Sequence, residues 1–130
     1  MKITFLSDNK TENSSCLAEW GLSVLIESEG NKVLFDVGAS PIFAENAKSL
    51  GINLEDVEAV AISHGHFDHT QGVKWLKERY GVQFACSSKD QFLIDSTSGG
   101  MVYGLKCNAV PAVDVDLDTL EEITFGNTRL

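Results

Sequence analysis

All three histidines of this 130-residue chain fall in one short run, Ser63-His64-Gly65-His66-Phe67-Asp68-His69-Thr70. In an extended segment residues two apart point the same way, so His64 and His66 can both offer imidazole nitrogens to a single ion. Gly65 between them lets the backbone pass close to that ion. Asp68 and His69 follow where the chain turns toward a helix, and can face a second ion. Two metals about 3.5–4 Å apart could activate a water and stabilise charge developing on a substrate. A lone histidine is better read as a cap or a core residue, but four ligand-type residues at this spacing after an apolar strand read as a metal motif.

The surrounding pattern shows what must carry the motif. Val57 to Ile62 is a nearly all-apolar run with the look of a strand buried on both faces, which places the histidines at a strand's C-terminal end. Upstream, Lys2 to Ser7 alternates like a strand, and the polar run from Asp8 to Ser15 has no periodicity and reads as a loop. Gly21 to Glu27 and Lys32 to Phe35, joined by Ser28-Glu29-Gly30-Asn31, predict an antiparallel hairpin. Ser40 predicts the cap of a helix of about ten residues starting at Pro41, with Phe43, Ala47 and Leu50 at helical spacing and Gly51 as its stop.

Downstream of the motif, Thr70 to Tyr80 predicts a second helix that Gly81 ends, and Val82 to Cys86 another strand. Ser88 to Ile94 carries a weak helical pattern. Met101 to Lys106, Ala112 to Val115 and Glu122 to Phe125 are further strand candidates. The class is α/β, a mixed sheet with covering helices, in one domain spanning residues 1–130.

Composition narrows the partners. A formal net charge of −9 argues against nucleic acid and acidic membrane surfaces, both of which need clustered Lys and Arg. The sequence has no apolar run long enough to span a membrane, and its start lacks a signal-peptide layout, so a cytoplasmic protein is expected. Cys16, Cys86 and Cys107 are odd in number and widely spaced, which points to neither a disulfide framework nor a zinc ribbon.

The run from Ser63 to Thr70 resembles the hallmark of the metallo-β-lactamase superfamily. Leu34-Phe35-Asp36-Val37-Gly38, the Glu45-Asn46-Ala47 helix and Glu19-Trp20-Gly21-Leu22-Ser23 are similar to the branch containing the dihydropterin-ribofuranosylaminobenzene phosphate synthases. The resemblance is good from Met1 to Ala85 and poor beyond. It implies that His64 and His66 bind a first metal, that Asp68 and His69 bind a second, and that Asp68 is also the catalytic candidate. It places Asp36 beside the site, as a partner of a metal-bound histidine or as a plain turn residue. The implied ions are zinc, one or two, with manganese or iron as alternatives. Trp20 stands where that branch often has histidine; by residue type it reads as a packed aromatic.

The resemblance further implies a four-layer αββα sandwich of which this chain is the N-terminal half. Complete sites of the family draw further histidines and a bridging Asp or Cys from the other half, and no histidine follows His69. Asp114, Asp116 and Asp118 read as a solvated strand face rather than as ligands, and Cys107 is a weaker ligand candidate still. The leading expectation is therefore a metal-dependent hydrolase or synthase acting on a small molecule, incomplete as a catalyst in this chain. The alternative is a non-catalytic metal-binding or self-assembling module of the same fold. Half a sandwich would leave one sheet face bare, so either the protein continues past Leu130 or two copies pack as a homo-oligomer.

Overall fold

The computed structural model describes residues 1–95, 104, 107–122, 124–125 and 128–129. Six strands form one mixed sheet in the order β1-β2-β3-β4-β5-β6. β1 (Lys2–Ser7), β2 (Ser23–Ser28) and β3 (Asn31–Val37) run antiparallel to their neighbours in turn. β4 (Val57–Ala61), β5 (Gln83–Cys86) and β6 (Val115–Asp116) continue the sheet in parallel from β3. β7 (Thr124–Phe125) and β8 (Thr128–Arg129) pair as a separate two-stranded ribbon. The hairpin read from Ser28 to Asn31 is present, and it closes with positive φ at both central residues, Glu29 (53°) and Gly30 (90°). Such a turn matches the twist of the flanking strands.

Helix α1 (Ile42–Ser49) starts one residue later than its sequence suggests. Ser40 still serves its N-terminus, since its hydroxyl oxygen accepts from the Ile42 N–H at 3.3 Å, and Gly51 ends the segment at φ 70°. The helix expected over Thr70–Tyr80 is instead two, α2 (Phe67–Thr70) and α3 (Val73–Tyr80). The break has a packing cause at Gly72, where a Cβ would overlap the Val37 carbonyl and the Phe43 ring. The Gln71 N–H also donates to the Gly38 carbonyl at 3.2 Å. A short 3-10 turn at Ser88–Asp90 and α4 (Gln91–Asp95) fill the weak pattern after β5. Among the described residues no helix is long and apolar enough to cross a membrane.

One face of the sheet carries the core. Leu25, Leu34, Val60 and Phe84 lie side by side across the paired strands and are buried beneath Phe43 and Ala47 of α1 and Val73 and Leu76 of α3. The opposite face is open. Ile3 (53% exposed), Phe5 (62%) and Phe35 (37%) project from it, and Ile26, Val33, Ala59 and Ala61 are only half-buried. β4 is therefore buried mainly on one side, where its nearly all-apolar sequence suggested two. Residues alternate across a strand, so the sequence carries apolar side chains for both faces while the described residues bury one.

Two other strand expectations change. The expected Ala112–Val115 strand reduces to Val115–Asp116. The reason is that the Asp114 carboxylate accepts the Phe84 N–H at 2.8 Å and pairs with Lys77 at 2.6 Å, taking a place the ladder would have used. The Met101–Lys106 strand falls, Gly104 apart, outside the described residues.

Candidate metal centre

The motif runs from the loop after β4, which carries His64 and His66, into α2, which carries Asp68 and His69, at the C-terminal edge of the parallel strands. Its three imidazoles cluster there: the ring centroids of His64 lie 4.5 Å from His66 and 4.1 Å from His69. His64 Nε2 stands 3.0 Å from His66 Nδ1. Two nitrogens bound tetrahedrally to one zinc would be about 3.3 Å apart, from the usual Zn–N length. The donor pair therefore fits an ion with a small adjustment. His69 Nε2 and Asp68 Oδ2 form the second pair at 3.5 Å. Among the described residues no three ligand-type side chains converge on one point, so the donors are gathered as two pairs rather than as a closed cage.

Asp36 lies under both pairs and is completely buried. It sits at φ 56°, in the left-handed region, where the β2–β3 register slips so that Ser23 faces Val37 while Val24 faces Phe35. An extra residue of this kind bends a strand and re-aims a side chain, and aspartate tolerates the conformation better than most residues. The result is a carboxylate that accepts the Ser63 N–H (2.8 Å), the Ser63 hydroxyl (2.7 Å) and His69 Nδ1 (2.7 Å). Asp36 thus both stands at the bend and bonds to a histidine of the motif. That contact leaves His69 Nε2 to face outward as the donor.

The electrostatics differ from ring to ring. Burial, with the nearby His69 and His66, holds His64 below its ordinary pKa of 6.5. Burial would lower His69 too, but the hydrogen bond and charge of Asp36, together with Asp68, outweigh it and hold the ring above 6.5. Cys86 ends the neighbouring strand β5, and burial pushes its thiol up to about 11.

Several supports have no obvious signal in the sequence. Asp90 Oδ2 accepts the Gly65 N–H at 3.1 Å, and a Cβ on Gly65 would strike the Leu93 side chain, so the segment after β5 clamps the histidine loop. Gly21, at φ 138°, abuts the Asp68 carbonyl so closely that a Cβ would overlap it. Asn46 is buried and ties the first loop to β1 by donating to the Leu6 and Leu17 carbonyls at 2.7 and 2.8 Å. Trp20 is 53% exposed and meets Phe67 edge-on at 5.7 Å, so it is a rim aromatic beside α2, not the packed side chain its type suggested.

Asp114 and Asp118 are exposed, as the solvated-face reading expects, and Asp116 is half-buried, but all three also bond to neighbouring residues. Asp116 accepts the Ser88 and Asp118 N–H groups, and Asp118 binds Ser87 (2.6 Å) and Lys89 (3.1 Å). With Asp114 they fasten β6 and the turn after it to β5. A cleft of about 600 Å³, lined by Pro41, Lys48, Trp75, Arg79 and Tyr80 among others, lies between α1 and α3 and does not include the histidines.

The family model of the metallo-beta-lactamase superfamily matches residues 21–127. An uncharacterised protein of Methanocaldococcus jannaschii is 31% identical over 123 residues, which cover 92% of this chain and 47% of that protein. The 7,8-dihydropterin-6-methyl-4-(beta-D-ribofuranosyl)-aminobenzene-5'-phosphate synthase of the same organism is 41% identical over 76 residues, 54% of this chain and 26% of that enzyme. Among solved structures, a subclass B3 metallo-beta-lactamase of Bradyrhizobium japonicum superposes with a TM-score of 0.69 over 83% of this chain and 43% of its own; its 23% identity bears on the fold alone. A metal-dependent hydrolase of the beta-lactamase superfamily superposes at 0.57 with 39% identity, over 68% of this chain and 30% of its own. The chain spans about half or less of the length of each.

Proposed function

Because the chain belongs to the metallo-beta-lactamase superfamily, we propose that it supplies the first ligands of a two-metal centre for hydrolysis or synthesis of a small molecule. The observation that carries this reading is the 3.0 Å approach of His64 Nε2 to His66 Nδ1 beside a His69 whose other nitrogen is held by Asp36. His64 and His66 would hold one ion, and Asp68 and His69 the other. Zinc suits this set best, and manganese or iron is compatible with it. The ions, when bound, would supply Lewis acidity and a nucleophile at neutral pH. Asp68 would be the residue that contacts the reacting groups, and Asp36, bonded to Nδ1, would keep His69 Nε2 turned toward the ion.

Each pair brings two donors, where a catalytic zinc takes about three from protein. The missing donors come from outside the segment His64–His69, and until they are added the chain binds metal without turning over substrate. We place them on whatever covers the open sheet face. A second copy of this chain is the occupant we propose, since Ile3, Phe5 and Phe35 are exposed together on that face and an isologous interface would join the same patch on both copies. The substrate class to test first is a phosphorylated small molecule, following the name of the synthase relative. With Cys16, Cys86 and Cys107 all present as thiols, the cytoplasm is the compartment we assign.

The two donors per ion also favour a second reading, a metal-binding or assembly module without catalysis. Zinc-loaded protein assayed against phosphoesters, thioesters and lactams separates the two. Chelator-sensitive turnover that is lost in Asp68→Ala supports the catalytic reading, and metal binding without turnover at any assembly state supports the module.

A further inference from the structure

Ser63 ties together groups that its position in the motif alone does not connect. Its hydroxyl donates to Asp36 Oδ2 at 2.7 Å, and its backbone N–H donates to Oδ1 at 2.8 Å. Oδ2 also accepts from His69 Nδ1 at 2.7 Å. A serine hydroxyl has one hydrogen and two acceptor lone pairs. With that hydrogen committed to a fully buried carboxylate, the oxygen meets His64 Nδ1, 3.0 Å away, only as an acceptor. His64 must then carry its proton on Nδ1. Its Nε2 keeps a lone pair, and Nε2 is the nitrogen that faces His66.

We infer that Ser63 is a positioning residue whose hydroxyl relays Asp36 to His64, so that one buried carboxylate sets the tautomer of a histidine in each ligand pair. Asp36 fixes His69 directly and His64 through one oxygen. Neutral imidazole in water favours the opposite tautomer, with its proton on Nε2, so the relay works against an intrinsic preference and leaves a trace when it is cut. The inference rests on the two-metal reading for its purpose, but the tautomer it assigns does not depend on a metal. The tautomer follows from the count of protons and acceptors around Ser63 Oγ.

The experiment uses the whole chain, labelled with ¹⁵N in its histidine rings and stripped of metal, at a pH above the ring titrations. Ser63 is exposed and keeps its backbone bond to Asp36 in either variant, so Ser63→Ala and Ser63→Thr leave the fold in place. Long-range ¹H–¹⁵N spectra should show His64 protonated on Nδ1 in the parent and in Ser63→Thr, which keeps the hydroxyl, and mainly on Nε2 in Ser63→Ala. Zinc titration against a competing chelator should show Ser63→Ala about 10–100-fold weaker, the usual scale for losing an outer partner of a metal-bound histidine, with Ser63→Thr near the parent. Retention of the Nδ1 proton in Ser63→Ala overturns the relay, and unchanged zinc affinity in that variant overturns its positioning role. If the parent binds no zinc, the two-metal reading fails, and the tautomer spectra still decide the relay.

Discussion

Asp36 accepts a hydrogen bond from His69 Nδ1 at 2.7 Å although the two residues lie 33 positions apart, one near the end of strand β3 and the other on α2. The contact joins the hairpin half of the chain to the motif. It is also what distinguishes this histidine cluster from three rings that happen to share a loop.

The raised pKa of His69 gives a pH dependence with a definite sign. A base that holds its proton more firmly when folded adds stability below its unfolded value of 6.5 and loses it as the pH climbs through the folded value. Metal-free protein should therefore melt at progressively lower temperature as the pH rises from about 6.5. Asp36→Asn, which removes the charge, should flatten that slope; an equally steep slope in this variant would show that another group controls it.

The core is the face under α1 and α3, so truncation there should be costly. Phe43→Ala, at a fully buried position that packs edge-on against Trp75, should lower unfolding stability by about 3–5 kcal/mol in urea. A loss below about 1 kcal/mol would mean that α1 is not seated as described.

The hairpin, the class and the position of the histidines were legible because each depends on local signals. Apolar alternation marks β1 to β3, Glu29-Gly30 marks the turn, and the Val57–Ile62 run precedes the motif. What stayed hidden was decided at a distance. Nothing near Gly72 announces that Val37 and Phe43 will press on it and split the expected helix. The exposed acids Asp114 and Asp118 give no sign in the sequence that they also bond to Lys77 and to the residues after β5. Asp90 shows no sign in the sequence of holding Gly65, because its partner is 25 positions away. Ser63 stood in the motif without a role of its own, because the carboxylate it bonds to lies 27 positions away.

The open sheet face leads to an expected assembly. A standard stable interface covers about 800 Å² per partner, and the exposed Ile3, Phe5 and Phe35 lie on one surface that could provide its apolar centre. Sedimentation at micromolar concentration should find a dimer, and Phe5→Asp should shift it toward monomer. A well-behaved monomer at that concentration, with no dye-accessible apolar surface, is the opposing result.

Gly21 offers a test of how tightly Asp68 is placed. A methyl group there would push on the Asp68 carbonyl, so Gly21→Ala should weaken zinc binding while leaving His64 and His66 in place. Spectra of the His64 and His66 rings that move as much as those of His69 would contradict a local effect.

The most direct test of the central claim is the zinc content and zinc affinity of the purified chain beside its His64→Ala/His66→Ala double variant. The account predicts that the parent takes up zinc, one or two ions per chain, and that the double variant, still folded by circular dichroism, loses the first ion. Undiminished zinc in the double variant, or a folded parent that takes up none, would contradict it.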